Sequence, residues 1–166
     1  MTASAPARAA YVALGSNLGD SQRTLSRAID ALDTLPSTAV TGRSCFYRTV
    51  PWGFCDQPDF LNAAVRVHTA LSPHQLLDAL LAIEAAAGRV RDGARWGPRT
   101  LDLDLLHMDG ITLDDRRLTL PHPRIRERAF VLVPLADIAP ELILPGQGGV
   151  IELLRQVDAT GCTALP

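Results

Sequence analysis

The sequence contains no lysine: the sixteen residues counted as Lys or Arg are all arginine. A Walker-type phosphate loop and a Schiff-base site both require lysine, so the sequence excludes both. Cysteine is also scarce, and the three cysteines lack the C-x-x-C spacing of a zinc or redox site: Cys45, Cys55 and Cys162. An odd number of cysteines without that spacing does not indicate a disulfide framework.

Long hydrophobic runs are missing too. No stretch of the 166 residues approaches the roughly 20 apolar residues that span a bilayer. Residues 1–10 lack the apolar core of a signal peptide. The formal net charge of −2 argues against a nucleic-acid partner held by bulk charge and against a basic membrane-surface protein. We therefore expect one cytoplasmic domain over residues 1–166, monomeric, without nucleic-acid or membrane partners.

The hydrophobic pattern predicts the element order β-α-β-β-α-β. The predicted strands cover residues 9–14, 38–47, 60–69 and 101–108. The first helix begins at Asp20 or Ser21, and the second begins at Ser72-Pro73 and stops at Gly88. Further helices are predicted near residues 125–136 and 150–157. This order is the split β-α-β pattern, so the predicted fold is an α+β ferredoxin-like sandwich with C-terminal additions.

Two aspartates alternate with leucines on the fourth predicted strand. Residues two apart on a strand lie roughly 6.6 Å apart on one face, so Asp102 and Asp104 project together. Taken alone, this pattern favours a strand whose outer face is simply wet. The preceding loop carries four arginines, however: Arg89, Arg91, Arg95 and Arg99. Carboxylates that hold hard cations beside guanidinium groups indicate a site for a polyanion such as a nucleoside triphosphate.

Two more clusters admit both a functional and a purely structural interpretation. His122 stands before three arginines at a predicted helix start, where positive charge opposes the helix dipole and hints at an anion. The alternative is a structural histidine in a solvated first turn. Phe60 lies beside Asn62 on a strand, and an aromatic ring next to an amide suits a flat heterocycle. Core packing is the alternative there.

Glu84 lies on the apolar stripe of the second predicted helix, at the border of the core. It either orients a neighbouring arginine or is a solvated carboxylate at the end of the helix. Residues 15–19 form a Gly-rich turn that lacks the spacing and the lysine of a dinucleotide or Walker motif.

Together, these residues resemble the 6-hydroxymethyl-7,8-dihydropterin pyrophosphokinases of folate biosynthesis. The resemblance covers nearly the whole chain, and its most specific part is Gly-Pro-Arg-x-x-Asp-Leu-Asp at residues 97–104. It also includes Gly-Ser-Asn-Leu at 15–18, Phe-Tyr-Arg-Thr at 46–49, Asp-Phe-Leu-Asn at 59–62 and Pro-His-Pro-Arg at 121–124.

The resemblance implies transfer of pyrophosphate from ATP to the hydroxymethyl group of the pterin, with release of AMP. It implies two Mg²⁺ ions on Asp102 and Asp104, and catalytic roles for Arg89 and Arg99. The implied pterin-binding residues are Gly15, Thr49, Trp52, Phe60, Asn62 and Phe130. The implied nucleotide-binding residues are Arg91, Trp96, Arg117, His122 and Arg128. No side chain stands out as an indispensable general base, which suits a transfer driven by alignment and charge.

Two other functions remain as alternatives. Gly15-Ser16 with a later aspartate pair is also found in nucleotidyltransferases, which release pyrophosphate, although here about 86 residues separate the two elements. A non-catalytic small-molecule sensor would use the same fold but would leave the aspartate pair and the arginine-rich loop without a role.

Overall fold

The computed structural model describes residues 5–50, 56–88 and 100–166. Its strands are β1 (Arg8–Ser16), β2 (Thr38–Arg43), β3 (Tyr47–Thr49), β4 (Phe60–Thr69), β5 (Asp102–Met108), β6 (Leu113–Asp114), β7 (Thr119–Leu120), β8 (Ile143–Leu144), β9 (Gly148–Gly149) and β10 (Cys162–Ala164). The main sheet has the order β10-β3-β4-β1-β5, with β2 also paired to β4, and its pairings are antiparallel. The pairs β6-β7 and β8-β9 form two small hairpins.

Two helices begin where their capping residues predict. Helix α1 (Ser21–Asp33) has Asp20 at its N-cap, where the carboxylate accepts a hydrogen bond from the Arg23 backbone N–H. Helix α2 (Pro73–Ala86) begins with a capping box formed by Ser72 and Gln75. The proline at the start of α2 donates no backbone hydrogen bond and therefore costs the helix nothing there.

One face of the main sheet is apolar along its whole length and packs on α1 and α2. Successive side chains on a strand point to opposite faces, and one set from each central strand enters this core. These residues are Val12 and Leu14 on β1, Leu61, Ala63, Val65 and Val67 on β4, and Leu103 and Leu105 on β5, with Leu101 just before it. The predicted alternation of leucines and aspartates on β5 is confirmed.

The opposite face is covered by helix α3 (Ala129–Ile138), which contacts β1, β2, β3, β4 and β10. A second apolar cluster joins Tyr11 and Leu106 of the sheet to Leu132 and Leu135 of α3, and includes Leu153 of helix α4 (Val150–Leu154). This cluster occupies only part of the face, because Asp102, Asn62 and their neighbours project from the rest of it.

The structure corrects three predicted boundaries. The strand predicted at 38–47 is two strands, because the β2–β4 pairing ends at Arg43 and the next Ala64 N–H donates to the side-chain hydroxyl of Ser44. The helix predicted at 125–136 is a short 3₁₀ turn, Ile125–Glu127, followed by α3, because Arg128 between them is extended. The helix predicted near 150–157 ends at Leu154.

The chain thus folds as a mixed α/β structure around an antiparallel sheet. Across the described ranges, no helix is both long enough and apolar enough to traverse a bilayer.

Candidate active site

A row of residues crosses four strands on the face that α3 covers. The register places Asp102 of β5 opposite Gly15 of β1, Gly15 opposite Asn62 of β4, and Asn62 opposite Tyr47 of β3. Directly paired residues point to the same face, and neighbouring strands lie about 4.8 Å apart. The sheet therefore holds the carboxylate of Asp102 and the amide of Asn62 on either side of a glycine, about 10 Å apart at the backbone.

Gly15 leaves room for the side chain of Asn62 to approach the strand. A Cβ atom at this position would lie 2.8 Å from Asn62 Oδ1 and 3.9 Å from Phe60 Cδ1. The glycine is thus required by the close approach of the Asn62 side chain, and Phe60 and Asn62 both border the same floor.

Asn62 is buried and its orientation is fixed. Its Nδ2 donates a hydrogen bond to Thr49 Oγ1 at 2.6 Å, and Thr49 is itself buried. Because a carboxamide has two N–H donors and one carbonyl acceptor, the bond to Thr49 determines how the rest of the amide faces Gly15. This amide edge, beside the ring of Phe60, has the hydrogen-bonding pattern that a flat heterocycle requires.

Asp102 and Asp104 lie on the same face, on the edge strand β5, and Asp104 is paired with Ala13 of β1. Both side chains are half-buried, and Arg128 Nη1 lies 3.8 Å from Asp104 Oδ2. Between the aspartates, the Leu103 N–H donates a 2.7 Å hydrogen bond to Glu84 Oε2, and Glu84 is buried. Glu84 therefore ties α2 to the strand that carries the carboxylates, which excludes the solvated helix-end alternative for this residue.

The donor set fits a hard divalent cation that also binds a phosphate chain. Mg²⁺ prefers carboxylate, water and phosphate oxygens, and one or two protein carboxylates commonly suffice. Among residues 5–50, 56–88 and 100–166, no three His, Cys, Asp or Glu side chains come together as a metal cluster. The two half-buried aspartates suit an ion of this kind, whose remaining ligands would come from the substrate and from water.

His122 is held from three directions near these carboxylates. Its backbone N–H donates to Leu106 O at 2.7 Å, and its carbonyl accepts from Gln147 Nε2 at 2.8 Å. The Arg124 backbone N–H donates to His122 Nδ1 at 3.1 Å. Burial, helped by the positive charges of Arg128 and Arg124, lowers the pKa of His122 to about 4. The imidazole is thus neutral at pH 7, and its proton resides on Nε2 because Nδ1 is an acceptor.

Helix α3 brings Arg128 and Phe130 to the end of the face that carries the polar row. Arg128 immediately precedes the helix, and its guanidinium carbon lies 5.7 Å from the centre of the Phe130 ring. Arg128, Phe130 and Thr49 line one cavity of about 750 Å³, together with residues of the C-terminal segment that includes Cys162. The cavity therefore lies between β3, whose Thr49 bonds to Asn62, and the start of α3.

Known proteins with the same sequence pattern settle the family. Residues 11–140 match the family model of 7,8-dihydro-6-hydroxymethylpterin-pyrophosphokinase. The chain belongs to this family. The 2-amino-4-hydroxy-6-hydroxymethyldihydropteridine pyrophosphokinase of Methylorubrum extorquens is 53% identical over 152 residues, which are 92% of this chain and 95% of that protein. The enzyme of the same name from Pseudomonas aeruginosa is 49% identical, over 94% of this chain and 96% of that protein.

Solved structures of this family have the same fold at low sequence identity. A Plasmodium falciparum HPPK-DHPS crystal structure with pteroate aligns with a TM-score of 0.71 and 14% identity. The alignment covers 94% of this chain but only 43% of the Plasmodium chain, so this chain spans less than half of that longer protein.

The structure brings together most of the predicted site residues that it describes. Gly15, Phe60 and Asn62 meet on the sheet, and Thr49 bonds to Asn62. Asp102 and Asp104 share the same face, and Arg128, Phe130 and His122 approach it from the C-terminal half of the chain. Trp52, Arg89, Arg91, Trp96 and Arg99 lie outside the described residues, so their roles stay predictions.

Arg117 has a different neighbour from the one that the resemblance implies. Its guanidinium forms an ion pair with Asp78 of α2, and its backbone N–H donates to Asp115 Oδ1 at 2.9 Å. Both ion-pair side chains are exposed. A nucleotide would therefore have to draw Arg117 away from Asp78, and its assignment stays a prediction.

Sequence reasoning missed four residues that hold the site in place. Asn17 donates to Gln57 Oε1 at 2.8 Å and to Pro58 O at 3.0 Å, so it fixes the segment before Phe60. Gln147 bonds to His122, and Tyr47 bonds to Asp137 of α3. Asn17 lies in the conspicuous 15–19 turn, whereas no periodicity marks the other three.

Proposed function

We propose that this chain transfers the pyrophosphoryl group of ATP to the hydroxymethyl oxygen of 6-hydroxymethyl-7,8-dihydropterin, a step of folate biosynthesis. The alcohol oxygen attacks the β-phosphorus, the bond from that phosphorus to the α,β-bridging oxygen breaks, and AMP leaves. The alcohol proton passes to solvent. Membership of the pyrophosphokinase family supports this reaction over the nucleotidyltransferase and sensor alternatives.

The row Asp102–Gly15–Asn62 is the observation that carries the proposal. The Asp102 carboxylate and the Asn62 amide lie on one face with a glycine between them, which supports a cation site beside a heterocycle site. A transfer between two bound substrates needs them side by side in fixed orientation, which a sheet provides better than a loop. The pterin would lie on Gly15 between Phe60 and Phe130, with its polar edge toward Asn62.

Asp102 and Asp104 would hold two Mg²⁺ ions together with the phosphates of ATP. When bound, such ions neutralise the triphosphate and stabilise the charge that develops during transfer. The chain itself keeps both carboxylates on one face through the β1–β5 register and through the bond from Leu103 to Glu84.

Arg128 and His122 would complete the phosphate side of the site. Arg128 lies close enough to Asp104 to bridge the carboxylates and a bound phosphate, and its guanidinium can donate two parallel hydrogen bonds. His122 would act as a neutral donor through Nε2, because its Nδ1 already accepts from Arg124. A neutral imidazole whose free nitrogen carries the proton cannot remove the alcohol proton, so no general base is assigned to it.

The proposal also includes the fold type, the oligomeric state and the cellular location of the chain. The order of β1, α1, β2 with β3, β4, α2 and β5, with β1 between β4 and β5, supports a ferredoxin-like core. A single domain, a monomeric state, a cytoplasmic location and the lack of nucleic-acid and membrane partners stay predictions from length and charge.

Product analysis tests the reaction directly. The purified chain is incubated with ATP, the dihydropterin and Mg²⁺, and the nucleotide products are separated by ion-exchange chromatography. We expect AMP and the pterin diphosphate in equal amounts, only when both substrates are present. Release of pyrophosphate would support the nucleotidyltransferase alternative, and binding without turnover would support the sensor. The Asp102→Asn variant is the matched control and should form neither product.

A further inference from the structure

We infer that the hydrogen bond between Tyr47 and Asp137 is a positioning contact that sets the separation of Thr49 and Phe130, two residues that would bind the pterin and that line the 750 Å³ cavity, here called the pterin cavity. The inference rests on the proposed function and assigns roles to two residues outside the binding machinery described above. Neither residue would touch the substrate. They would act by fixing helix α3 relative to strand β3.

The contact joins the C-terminal end of α3 to the sheet. Tyr47 Oη lies 2.8 Å from Asp137 Oδ1 and 2.7 Å from Oδ2, so the hydroxyl donates to the carboxylate as a whole. The Cys45 backbone N–H also donates to Asp137 Oδ2, at 3.2 Å. A single carboxylate thus bonds to the side chain of β3 and to the backbone just before it. Hydrogen bonds to an ionised acceptor are stronger than those between neutral groups.

Both ends of this contact lead to the pterin cavity. Tyr47 is paired with Asn62 in the register, and Thr49, two residues further on, bonds to the Asn62 amide. Asp137 lies seven residues after Phe130 on the same helix, a distance of about 10.5 Å along its axis. Thr49 and Phe130 both line the 750 Å³ cavity. Because Asp137 and Phe130 lie on the same helix, a shift of α3 at Asp137 should also move Phe130 relative to the cavity.

A second tether keeps α3 docked when the Tyr47 hydroxyl is removed. Arg66 Nη1 of β4 donates to Ile138 O at 3.1 Å, and the apolar side chains of α3 remain packed on the sheet. Loss of the Tyr47 hydroxyl should therefore leave the fold intact and change only the position of the helix. This separates a positioning role from a purely structural one.

The two tyrosines of the chain supply a matched pair of variants. Tyr47→Phe removes the hydroxyl that reaches α3, and Tyr11→Phe removes a hydroxyl from the same face, where the ring stacks on His107 at 6.2 Å. Dissociation constants for the dihydropterin and for a non-hydrolysable ATP analogue are measured by titration calorimetry. Thermal unfolding of each variant is recorded in parallel.

We expect Tyr47→Phe to weaken pterin binding about three- to tenfold, the size of one hydrogen bond, and to change nucleotide binding less than twofold. Tyr11→Phe should leave the ratio of the two constants unchanged. Asp137→Ala should weaken pterin binding to a similar extent, and adding Tyr47→Phe to it should have little further effect, because both remove the same contact.

Unchanged pterin binding in Tyr47→Phe, or equal losses for both ligands, would overturn the inference. So would additive effects in the double variant. If Asp137→Ala does not fold, Tyr47→Phe alone tests the inference, because the second tether keeps α3 docked in that variant. The proposed function fails separately, when the unaltered chain does not convert ATP and the pterin to AMP and the pterin diphosphate.

Discussion

The two faces of the central sheet differ in polarity. The face toward α1 and α2 is apolar from one end to the other, and alternate residues of β1, β4 and β5 contribute to it up to the point where the β1–β5 register shifts at Val12. The face toward α3 is apolar only where Tyr11 and Leu106 meet the helix, and it is polar where Asp102, Gly15 and Asn62 form a row. One face stabilises the sheet and thereby gives the other a rigid base on which a few polar groups keep fixed spacings.

Neighbouring residues on one strand therefore have different roles, one in stability and the other in the candidate site. Leu103 is buried under α2, whereas Asp102 and Asp104 on either side of it face the candidate site. Substitutions one position apart can separate stability from chemistry, and each prediction below tests this division.

The largest expected effect is the loss of turnover in Asp102→Asn and Asp104→Asn. Each change removes one negative charge from the cation-binding pair, and we expect kcat to fall on the order of 10³-fold, as for loss of a main electrostatic contact. The melting temperature should change less than in Leu103→Ala, because both aspartates are half-buried and lie outside the apolar core. Steady-state kinetics and calorimetry of the same preparations test both statements.

Leu103→Ala is the complementary change on the apolar face. The variant lacks most of the buried Leu103 side chain, so its free energy of unfolding should be lower by about 2–5 kcal/mol. The folded fraction should keep its turnover. Near-normal rates in both asparagine variants would refute the division between the faces. A loss of turnover in folded Leu103→Ala as large as theirs would refute it as well.

The next largest effect is expected for Asn62→Ala on the pterin side of the row. The variant loses the amide that bonds to Thr49 and faces Gly15, so pterin binding should weaken roughly 10- to 100-fold. Nucleotide binding should change little, because Asn62 lies two strands away from Asp102. Isothermal titration with each ligand gives the two constants, and equal losses would contradict a specific role in pterin recognition.

A smaller effect should follow when the floor of the site is filled. In Gly15→Ala the new Cβ would approach Asn62 Oδ1 to 2.8 Å, and the bond to Thr49 restricts how far the amide can move away. We expect about tenfold weaker pterin binding, the order of a modest overpacking penalty. Gly149→Ala before α4 is the control, because its Cβ would meet only ordinary contacts, the nearest at 3.7 Å from Glu152 Cγ. Similar pterin affinities in both variants would contradict the prediction.

The sequence predicts the repeating parts of the molecule and the most compact part of the site. Alternation on β4 and β5 predicts both faces of the sheet, and the Asp20 and Ser72 caps mark the helix starts. Asp102 and Asp104 can be recognised together because strand geometry alone places them on one face. Phe60 and Asn62 are two residues apart for the same reason.

Contacts between distant, non-periodic residues escape this reasoning. Tyr47 and Asp137 are 90 residues apart, and Gln147 reaches the backbone of His122 from a hairpin of two-residue strands. Arg117 likewise pairs with Asp78, and nothing in its local sequence distinguishes that partner from a phosphate. Such polar pairs depend on how helices and hairpins dock, which hydrophobic periodicity does not encode.

The smallest expected effect is a dependence on pH that is confined to the polar side. His122 has a pKa lowered to about 4, first by burial and then by Arg128 and Arg124, whereas the unfolded chain should protonate it near its ordinary value of 6.5. Below about pH 6.5 the unfolded state therefore binds the proton more readily, and the stability contributed by the neutral imidazole is lost as the pH falls toward 4. We expect His122→Gln to show a smaller decrease in Tm between pH 7 and pH 4.5 than the unaltered chain does. Leu103→Ala should keep the full decrease, because it adds no titrating group and changes only the apolar face. An imidazole that titrates near pH 6.5 by NMR would mean that His122 is not held as a neutral donor beside the carboxylates.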